Sequence, residues 1–372
     1  MQEPEMPLTG VSPGHSSSAA PLEPYVTVIM PIRNEANFIR RSLGAVLAQD
    51  YPPDRMEVLV ADGMSTDATR DVISRMSEAQ SERSVTVVDN PEGIVPTGLN
   101  RALAIAKGEI IVRVDGHTII DADYVRQCVT ALRKTGADNV GGRMEAVSEG
   151  LFGRAVALAT SSRFGVGGAR FHYSDRQEWV DTVYMGAWPR NVFDRIGLFD
   201  EEQVRNQDDE FNYRLLERGG KILLSPRIKS RYYNRSTPVS LWRQYFQYGF
   251  WKVRVMQKVT RQMRLRHFVP ALFVLVVMLS SLVTPFSVAA RWVLGSTLAL
   301  YSLANISVSV LSCGQDDWRL LFPLMVSFAE LHFAYGLGFV VGLVRFSNRW
   351  RDRRNRWSTY APVRVSPKVV SH

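Results

Sequence analysis

Cysteine is scarce in this 372-residue chain, which has only Cys128 and Cys313. Two cysteines cannot build a disulfide framework or a cysteine-based metal site, so both classes of protein are excluded. Residues 1–24 are rich in Pro, Ser and Gly and contain no apolar run, so we expect a disordered tail and no signal peptide there. The large part that follows is therefore expected to fold in the reducing cytosol.

Charged side chains are missing from two long stretches, residues 268–290 and 292–313. They are nearly missing from residues 320–344, where Glu330 and His332 are the only acidic or basic side chains. Each stretch exceeds the roughly 18 apolar residues that can cross a bilayer. The pattern predicts a C-terminal transmembrane region and disfavours a purely soluble protein.

Acidic side chains are missing from residues 252–266, which contain six Lys and Arg. The net charge of +9 is unevenly distributed, because residues 1–251 carry −3 and residues 252–372 carry +12. Basic residues beside apolar stretches favour anionic lipid headgroups over nucleic acid. We therefore expect Lys252, Arg254 and Lys258 to face lipid phosphates.

The basic segments constrain the membrane topology. Residues 239–264 are aromatic and Arg-rich and predict amphipathic helix on the membrane surface. Both the basic segment 252–266 and the arginines within 345–356 are expected to be cytosolic, but three full crossings would separate them. Two crossings and a re-entrant third segment, turning near Glu330 and His332, would keep both segments and the C-terminus in the cytosol.

Apolar, β-branched runs alternate with helical patterns over the first 145 residues. The predicted strands are residues 26–32, 56–61, 85–88 and 109–114, and the predicted helices are residues 35–48, 67–76, 96–107 and a helix capped by Asp121. Such alternation is typical of an α/β fold with a parallel sheet, whose ligands bind beyond the carboxyl ends of the strands. Further along, residues 208–218 predict a helix and residues 221–224 a short strand. No G-x-G-x-x-G, Walker A or G-x-S-x-G motif occurs, which disfavours dehydrogenases, P-loop enzymes and α/β-hydrolases.

Polar side chains follow three of the predicted strands. Arg33 and Glu35 follow the first strand, Asp62 follows the second, and Asp115 and His117 follow the fourth. A carboxylate and an imidazole flanking a glycine suit Mn²⁺, and Mg²⁺ less closely, and such a metal would neutralise the pyrophosphate of a nucleotide. The alternative is a capped turn with a hydrogen-bonded histidine.

Two further residues have a binding interpretation and a structural one. Asp62 is suited to accept a hydrogen bond from a base imide N–H, but it is equally suited to a turn. Asn100, in the third helix, either turns toward a base or packs against the protein.

The acids Asp208, Asp209 and Glu210 begin a helix, where they stabilise its dipole or, in a cleft, supply a general base.

Six segments, in this order and spacing, resemble the inverting family 2 glycosyltransferases across about residues 25–255. They are residues 26–35 (VTVIMPIRNE), 62–69 (DGMSTDAT), 98–102 (GLNRA), 115–117 (DGH), 185–190 (MGAWPR) and 206–215 (NQDDEFNYRL). Within that family the chain is similar to the bacterial succinoglycan-biosynthesis-type glucosyltransferases, which share the Asp-Gly-His variant and C-terminal membrane spans.

The resemblance implies a GT-A fold, a Rossmann-like nucleotide-diphospho-sugar transferase domain. It implies that the nucleotide is bound by Pro31, Arg33, Glu35, Asp62, Asn100 and Asp115. Asp115 and His117 would bind Mg²⁺ or Mn²⁺ in place of the family's commoner Asp-x-Asp. Gly186, Ala187, Trp188 and Glu210 would form the sugar and acceptor site, with the indole stacked on a pyranose. Asp208 falls where the family's general base lies, with Asp209 and Glu210 as rival candidates.

The resulting prediction is a membrane-anchored inverting glycosyltransferase of exopolysaccharide or cell-envelope glycan synthesis. Its donor would be a nucleotide sugar, UDP-glucose by resemblance, and its acceptor a polyprenyl-diphosphate-linked saccharide, with no nucleic-acid partner. We expect a multi-pass protein of the bacterial inner membrane with a cytosolic catalytic domain. Alternatives are a polyprenyl-phosphate glycosyltransferase and a non-enzymatic membrane protein that binds nucleotide sugars. The predicted parts are a tail (1–24), the catalytic domain (25–237), interfacial helices (238–267), the transmembrane region (268–345) and a basic tail (346–372).

Overall fold

A parallel sheet forms the first part of the fold. The computed structural model describes residues 23–80, 82–234, 237–259, 264–313 and 317–350, so most of both predicted tails lies outside the described residues. The first elements are β1 (Val26–Ile32), α1 (Ile39–Leu47), β2 (Met56–Asp62), α2 (Thr69–Ala79), β3 (Ser84–Asp89), α3 (Val95–Ile105), β4 (Ile110–Arg113), β5 (Thr118–Ile120) and α4 (Tyr124–Thr135). Strand β1 pairs in parallel with β2 and β4, and β2 pairs in parallel with β3. The first four strands predicted from the sequence are confirmed to within one residue.

Strands of mixed direction extend this sheet on the β4 side. The elements are β6 (Asn139–Val147), α5 (Leu151–Thr160), α6 (Arg163–Val166), β7 (Glu178–Val180), β8 (Tyr184–Pro189), α7 (Asn191–Ile196), α8 (Gln207–Glu217) and β9 (Ile222–Tyr233). The strand order is β3-β2-β1-β4-β8-β6-β9-β5, and β7 also pairs with β9. The short strand predicted at residues 221–224 is only the start of β9, which continues to Tyr233 because it pairs with β6 on both sides of an irregularity at residues 226–228.

Helices cover both faces of the sheet, and alternate residues of β1 contact opposite layers. Val28 and Met30 belong to the core that α1 and α4 share, whereas Ile29 belongs to the core of α3, α7 and α8. Burial on both faces explains why the strand is apolar throughout. Because β1 pairs in parallel with both β2 and β4, the carboxyl ends of the three strands lie side by side at one edge of the sheet.

The C-terminal part consists of helices α9 (Pro238–Lys258), α10 (Val269–Val283), α11 (Val288–Cys313) and α12 (Leu321–Arg345). Among the described residues, Val288–Cys313 and Trp318–Arg345 are long and apolar enough to cross a membrane. Helix α10 has 15 residues. At about 1.5 Å per residue it spans less than the roughly 30 Å of a hydrocarbon core. The first apolar stretch therefore does not form the full-length crossing predicted for it.

Helix α12 continues through Glu330 and His332, so the predicted re-entrant turn is wrong. Nε2 of His332 donates to the carbonyl oxygen of Phe164 at 2.7 Å, and its Nδ1 lies 3.0 Å from the Tyr301 hydroxyl of α11. Because neighbouring elements satisfy both ring nitrogens, the helix accommodates this polar residue without a turn.

Both ends of α12 contact the α/β domain. Asp317, before the helix, lies 2.7 Å from Arg154 of α5, and Arg349, after it, lies 2.7 Å from Glu202. Each end of α12 is thus tied to the α/β domain by an ion pair, and the side of the membrane on which the C-terminus lies stays a prediction.

Helix α9 lies between the α/β domain and α12. Close helix contact depends on glycine, since a Cβ at Gly249 would lie 2.0 Å from the carbonyl oxygen of Tyr335, and one at Gly338 would lie 2.0 Å from that of Phe246. A helix so enclosed does not lie freely on a membrane surface, although its aromatic residues suggested that arrangement.

The basic residues of α9 point at the α/β domain. Lys252 pairs with Asp209, Arg254 with Glu202, and Lys258 with both Asp200 and Glu202. The three side chains are between 2% and 10% exposed. The expectation that they face lipid phosphates is wrong, because the three basic side chains are buried and already paired with carboxylates.

Candidate active site

The turn after β4 places His117 against Glu35, which follows β1. Nδ1 of His117 lies 3.1 Å from Oε1 of Glu35. Gly116 permits this approach, since a Cβ there would lie 2.8 Å from Cγ2 of Ile32 and 3.1 Å from Cγ of Glu35. A carboxylate at Nδ1 selects the tautomer that leaves Nε2 with its lone pair, as in many metal-binding histidines. Glu35, Asp115 and His117 all line one wall of a cavity.

Asp115 is oriented by two residues that the sequence reasoning missed. Nε and Nη2 of Arg113 donate to its two carboxylate oxygens at 2.8 and 3.3 Å, and the Tyr184 hydroxyl donates to Oδ2 at 3.3 Å. Burial raises the pKa of Tyr184, so its hydroxyl keeps the proton it donates. Nη1 of Arg113 is buried and has no hydrogen-bond partner among the described residues, and Arg113 lines the cavity. A buried cation with an unused donor can hold an anionic or hydroxylated ligand.

Asp62 lies at the predicted edge but not on the cavity wall. Its buried carboxylate is 2.5 Å from Nε of Arg70 and accepts the backbone N–H of Ser65 at 3.0 Å. Arg70 also pairs with Asp89 at the end of β3. Asp62 is therefore the anchor of the turn after β2, and the structure favours the turn over the predicted contact with a base.

Asn100 packs against the protein. Its amide donates to the carbonyl of Phe199 at 2.9 Å and accepts the N–H of the same residue at 3.0 Å, and it also donates to Glu201. The predicted contact with a base is wrong, because both ends of the amide tie α3 to the segment after α7. Pro31 and Arg33, by contrast, line the cavity, and their contact with a nucleotide stays a prediction.

Glu210 is not a candidate base. Both of its oxygens accept hydrogen bonds from Arg214 one turn later, at 2.9 Å each, and Arg214 also donates to the carbonyls of Ile196 and Leu198. Both side chains are almost fully buried. The predicted place of Glu210 in the sugar and acceptor site is wrong, because its carboxylate points into the core and joins α8 to α7.

Asp208 and Asp209 line the cavity at the start of α8, but their surroundings differ. Asp209 pairs with Lys252 and accepts the Thr182 hydroxyl at 3.1 Å. Burial would raise the pKa of Asp209, but the charge of Lys252 and its hydrogen bond outweigh burial and lower it. Burial, reinforced by the neighbouring Asp209, raises the pKa of Asp208. Asp208 is therefore the stronger base of the pair.

Trp188 is a core residue. It is 1% exposed and packs edge-on against Phe193, Phe199 and Phe211. Ala187 beside it is fully buried. The predicted stacking of this indole on a pyranose is wrong, because the aromatic cluster encloses Trp188 and the indole does not line the cavity. The neighbouring Tyr184 is the residue of this strand that lines it.

One cavity of about 1450 Å³ joins these residues to the C-terminal helices. Its polar end contains Glu35, Asp115, His117 and Asp208. The cavity is also lined by side chains of α10, α11 and α12, among them Phe273, Leu300, Tyr301 and Leu331. A ligand with a charged head and an apolar tail matches this change of lining.

The donors at the polar end fit a divalent cation. Asp115 offers carboxylate oxygens and His117 offers Nε2, a combination that suits Mn²⁺ or Mg²⁺. Within the described ranges no group of three or more His, Cys, Asp or Glu is arranged to hold a metal ion. A cation here would take its remaining ligands from water or from the oxygens of a bound diphosphate.

Comparison with known proteins identifies the family. Residues 27–197 match the sequence model of Glycosyl transferase family 2. The "Succinoglycan biosynthesis protein ExoA" of Rhizobium meliloti (strain 1021) is 31% identical over 245 residues, which are 65% of this chain and 73% of that protein. The chain belongs to glycosyl transferase family 2.

A second relative of this glycosyltransferase comes from an archaeon. The dolichyl N-acetyl-alpha-D-glucosaminyl phosphate 3-beta-D-2,3-diacetamido-2,3-dideoxy-beta-D-glucuronosyltransferase of Methanococcus voltae is 26% identical over 240 residues, 63% of this chain and 74% of that protein. Relatives of this family 2 member thus take part in exopolysaccharide and lipid-linked glycan synthesis.

The fold of the family 2 domain agrees with a solved structure. That structure is the mannosyltransferase PcManGT from Pyrobaculum calidifontis in complex with GDP-Man and Mn²⁺. The two share a TM-score of 0.56 and 20% identity, over 87% of this chain and 88% of the other. The predicted GT-A fold, a Rossmann-like α/β domain followed by apolar C-terminal helices, is confirmed.

The role of Arg113 had a recognisable signal in the sequence, whereas the role of Lys252 had none. Arg113 stands two positions before Asp115, and residues two apart on a strand share a face, so an arginine in an apolar strand was a usable signal. Lys252 is 43 positions from Asp209. No spacing rule links them, and only the packing of α9 on α8 brings them together.

Proposed function

We propose that this family 2 glycosyltransferase moves a sugar from a nucleotide-diphosphate donor to a lipid-linked saccharide at a membrane surface. The observation that carries the proposal is the continuous cavity between Asp208 and the apolar helices. A lipid-linked acceptor must bring a hydroxyl group to Asp208 while its lipid tail follows an apolar surface. This cavity is lined by residues suited to both.

The donor would occupy the polar end of the cavity. Pro31, Arg33 and Glu35 are available to the nucleoside, and the unused Nη1 of Arg113 to the diphosphate or the transferred sugar. Asp115 and His117 would hold a Mg²⁺ or Mn²⁺ ion, which when bound neutralises the charge of the diphosphate. We take the donor to be a UDP-sugar, with UDP-glucose suggested by the resemblance to succinoglycan-type enzymes.

The reaction would be a direct displacement. Asp208 accepts the proton of an acceptor hydroxyl, and the oxygen forms a bond to the anomeric carbon. The bond from that carbon to the phosphate oxygen breaks, and the nucleoside diphosphate leaves with the electron pair. Attack from the opposite face inverts the anomeric configuration, so an α-linked donor gives a β-glycoside. The raised pKa of Asp208 supports its assignment as the base.

Two observations support a lipid-linked acceptor. The Methanococcus voltae relative acts, by its name, on a dolichyl-linked sugar phosphate. Helices α11 and α12 are apolar enough to hold the enzyme at a bilayer, where a lipid-anchored acceptor is concentrated. We place the catalytic domain on the cytosolic face of a bacterial inner membrane, since the basic residues lie beside the apolar helices on that side.

The test uses the full chain in nanodiscs with a panel of nucleotide sugars and a polyprenyl-diphosphate-linked saccharide. Wild type should transfer one sugar with inversion, read from the anomeric coupling constant of the product. Asp208→Asn should lower turnover by about 10²-fold or more, the scale of a lost general base. Glu217→Gln, at the exposed far end of the same helix, should keep wild-type turnover.

Three outcomes would redirect the proposal. Transfer to polyprenyl phosphate carrying no sugar would identify the enzyme as a polyprenyl-phosphate glycosyltransferase. Near-normal turnover in Asp208→Asn would remove Asp208 as the base. Turnover that survives exhaustive chelation would contradict metal binding by Asp115 and His117.

A further inference from the structure

Helix α9 inserts a lysine beside the catalytic carboxylates. The side chain of Lys252 is 8% exposed, its ammonium group pairs with Asp209, and it lies 5.6 Å from the ring centre of Tyr213. Burying an ammonium group is strongly unfavourable unless an opposite charge compensates it. Burial of the Lys252 ammonium group therefore has a desolvation cost, which the ion pair with Asp209 offsets.

Asp209 is fully engaged by these contacts. One oxygen accepts the Thr182 hydroxyl at 3.1 Å, and the other accepts Lys252. The neighbouring Asp208 receives the backbone N–H of Asp209 at 3.0 Å. Its remaining acceptor capacity faces the cavity.

Two adjacent buried carboxylates repel each other, and the pair then tends to share a proton. A cation bound to one of them weakens this repulsion, so that the other can be ionised on its own. We propose that Lys252 is a positioning residue that neutralises and holds Asp209, so that Asp208 alone serves as the proton acceptor of the transferase. This inference rests on the proposed function.

Several other groups face the pair from the elements around it. They are Arg113 of β4, Asp115 after β4, Tyr213 of α8, Tyr248 of α9, and His267 before α10. Burial and then Lys252 lower the pKa of His267 to about 3, so this imidazole is neutral at working pH and does not replace Lys252 as the cation. Burial raises the pKa of both tyrosines, which are therefore neutral as well.

The experiment measures kcat against pH at saturating substrates in the full chain. Lys252→Met leaves the Asp209 anion beside Asp208, so the acidic limb should move up by about one pH unit or more. Asp209→Asn leaves the ammonium group instead, so the limb should move down. The double variant Lys252→Met/Asp209→Asn removes both charges and should return the limb toward wild type. It also avoids an unpaired buried charge, so it should fold best of the three.

Two controls separate this electrostatic effect from a loss of packing. Lys252→Arg keeps the charge and should keep the wild-type position of the limb. Lys258→Met removes another buried lysine of α9, one that pairs with Asp200 and Glu202 and should not shift the limb.

Failure of the inference is distinct from failure of the proposed function. If Asp208→Asn is inactive while Lys252→Met and Asp209→Asn shift the limb in the same direction or not at all, Lys252 does not select the base. If Asp208→Asn is active, the assigned base itself is wrong, whatever the Lys252 variants do. A double variant that stays at the position of Lys252→Met would also overturn the inference.

Discussion

Oε1 of Glu35 lies 3.1 Å from Nδ1 of His117, which leaves the other ring nitrogen with its lone pair. Glu35→Ala should weaken divalent-metal binding by about 10-fold or more, because outer partners of metal-binding histidines contribute on that scale. Calorimetric titration of Mn²⁺ with a nucleoside diphosphate present measures it directly. Glu92→Ala, an acid paired with Arg101 at the surface, is the matched control. Unchanged affinity in Glu35→Ala would show that His117 needs no such partner.

Trp188 should contribute to stability and not to sugar binding. Trp188→Ala removes the centre of an aromatic cluster and should lower the free energy of unfolding by about 3–5 kcal/mol. Thermal unfolding of the full chain checks this, with Trp179→Ala as control because that indole is 53% exposed. If Trp188→Phe melted like wild type but raised the acceptor KM tenfold or more, roughly 1.4 kcal/mol of binding, the stacking interpretation would return.

Glu202 makes the attachment of α9 sensitive to acid. Burial would raise its pKa, but hydrogen bonds from Arg254 and Lys258 outweigh burial and lower it to about 2. The pKa in the unfolded chain is about 4.3. The stabilisation is therefore complete above about pH 4.3 and is lost as the pH falls toward 2.

The protection factors of the α9 amides, which correct for the pH dependence of intrinsic hydrogen exchange, should accordingly fall over this acidic window. Glu202→Gln lacks the titrating group and should exchange faster at neutral pH, with a smaller change on acidification. An identical acid dependence in Glu202→Gln would assign the effect to other carboxylates.

Gly249 and Gly338 set the contact between α9 and α12. Gly338→Ala places a methyl group 2.0 Å from a backbone oxygen, so the helices must separate. We expect a loss of about 1–3 kcal/mol, as for other overpacked sites, and lower turnover because α9 carries Lys252. Gly295→Ala in α11 is the control, since no atom lies within 4 Å of its added Cβ. Equal melting temperatures for the two variants would contradict the close packing.

The sidedness of the apolar helices is a prediction that cysteine labelling can test. Arg349 contacts Glu202, so a cysteine introduced at Ser347 should react with an impermeant maleimide from the side of the catalytic domain. A cysteine at Ser287, between α10 and α11, should be protected from that side. The background is Cys313→Ser, since Cys128 is buried. Reaction of the Ser347 cysteine only from the opposite side would reverse this topology.

Local patterns in the sequence were sufficient for the sheet and its functional edge. The strands around β1 are buried on both faces, so their apolar runs were visible without tertiary information. Because parallel strands end at one edge, Glu35, Asp115 and His117 could be expected together. The charge-free stretches likewise indicated the C-terminal helices, although only the structure showed that α10 stops after 15 residues.

Tertiary packing decided which polar residues remain available. Asp62, Asn100 and Glu210 stand in positions that suit a binding site, but Arg70, Phe199 and Arg214 occupy their polar atoms. Asp208 and Asp209 are equivalent carboxylates in the sequence, and Lys252, from a helix far along the chain, distinguishes them. A sequence records the chemistry of each side chain, whereas partners and burial, which set its charge and its accessibility, exist only in the folded chain.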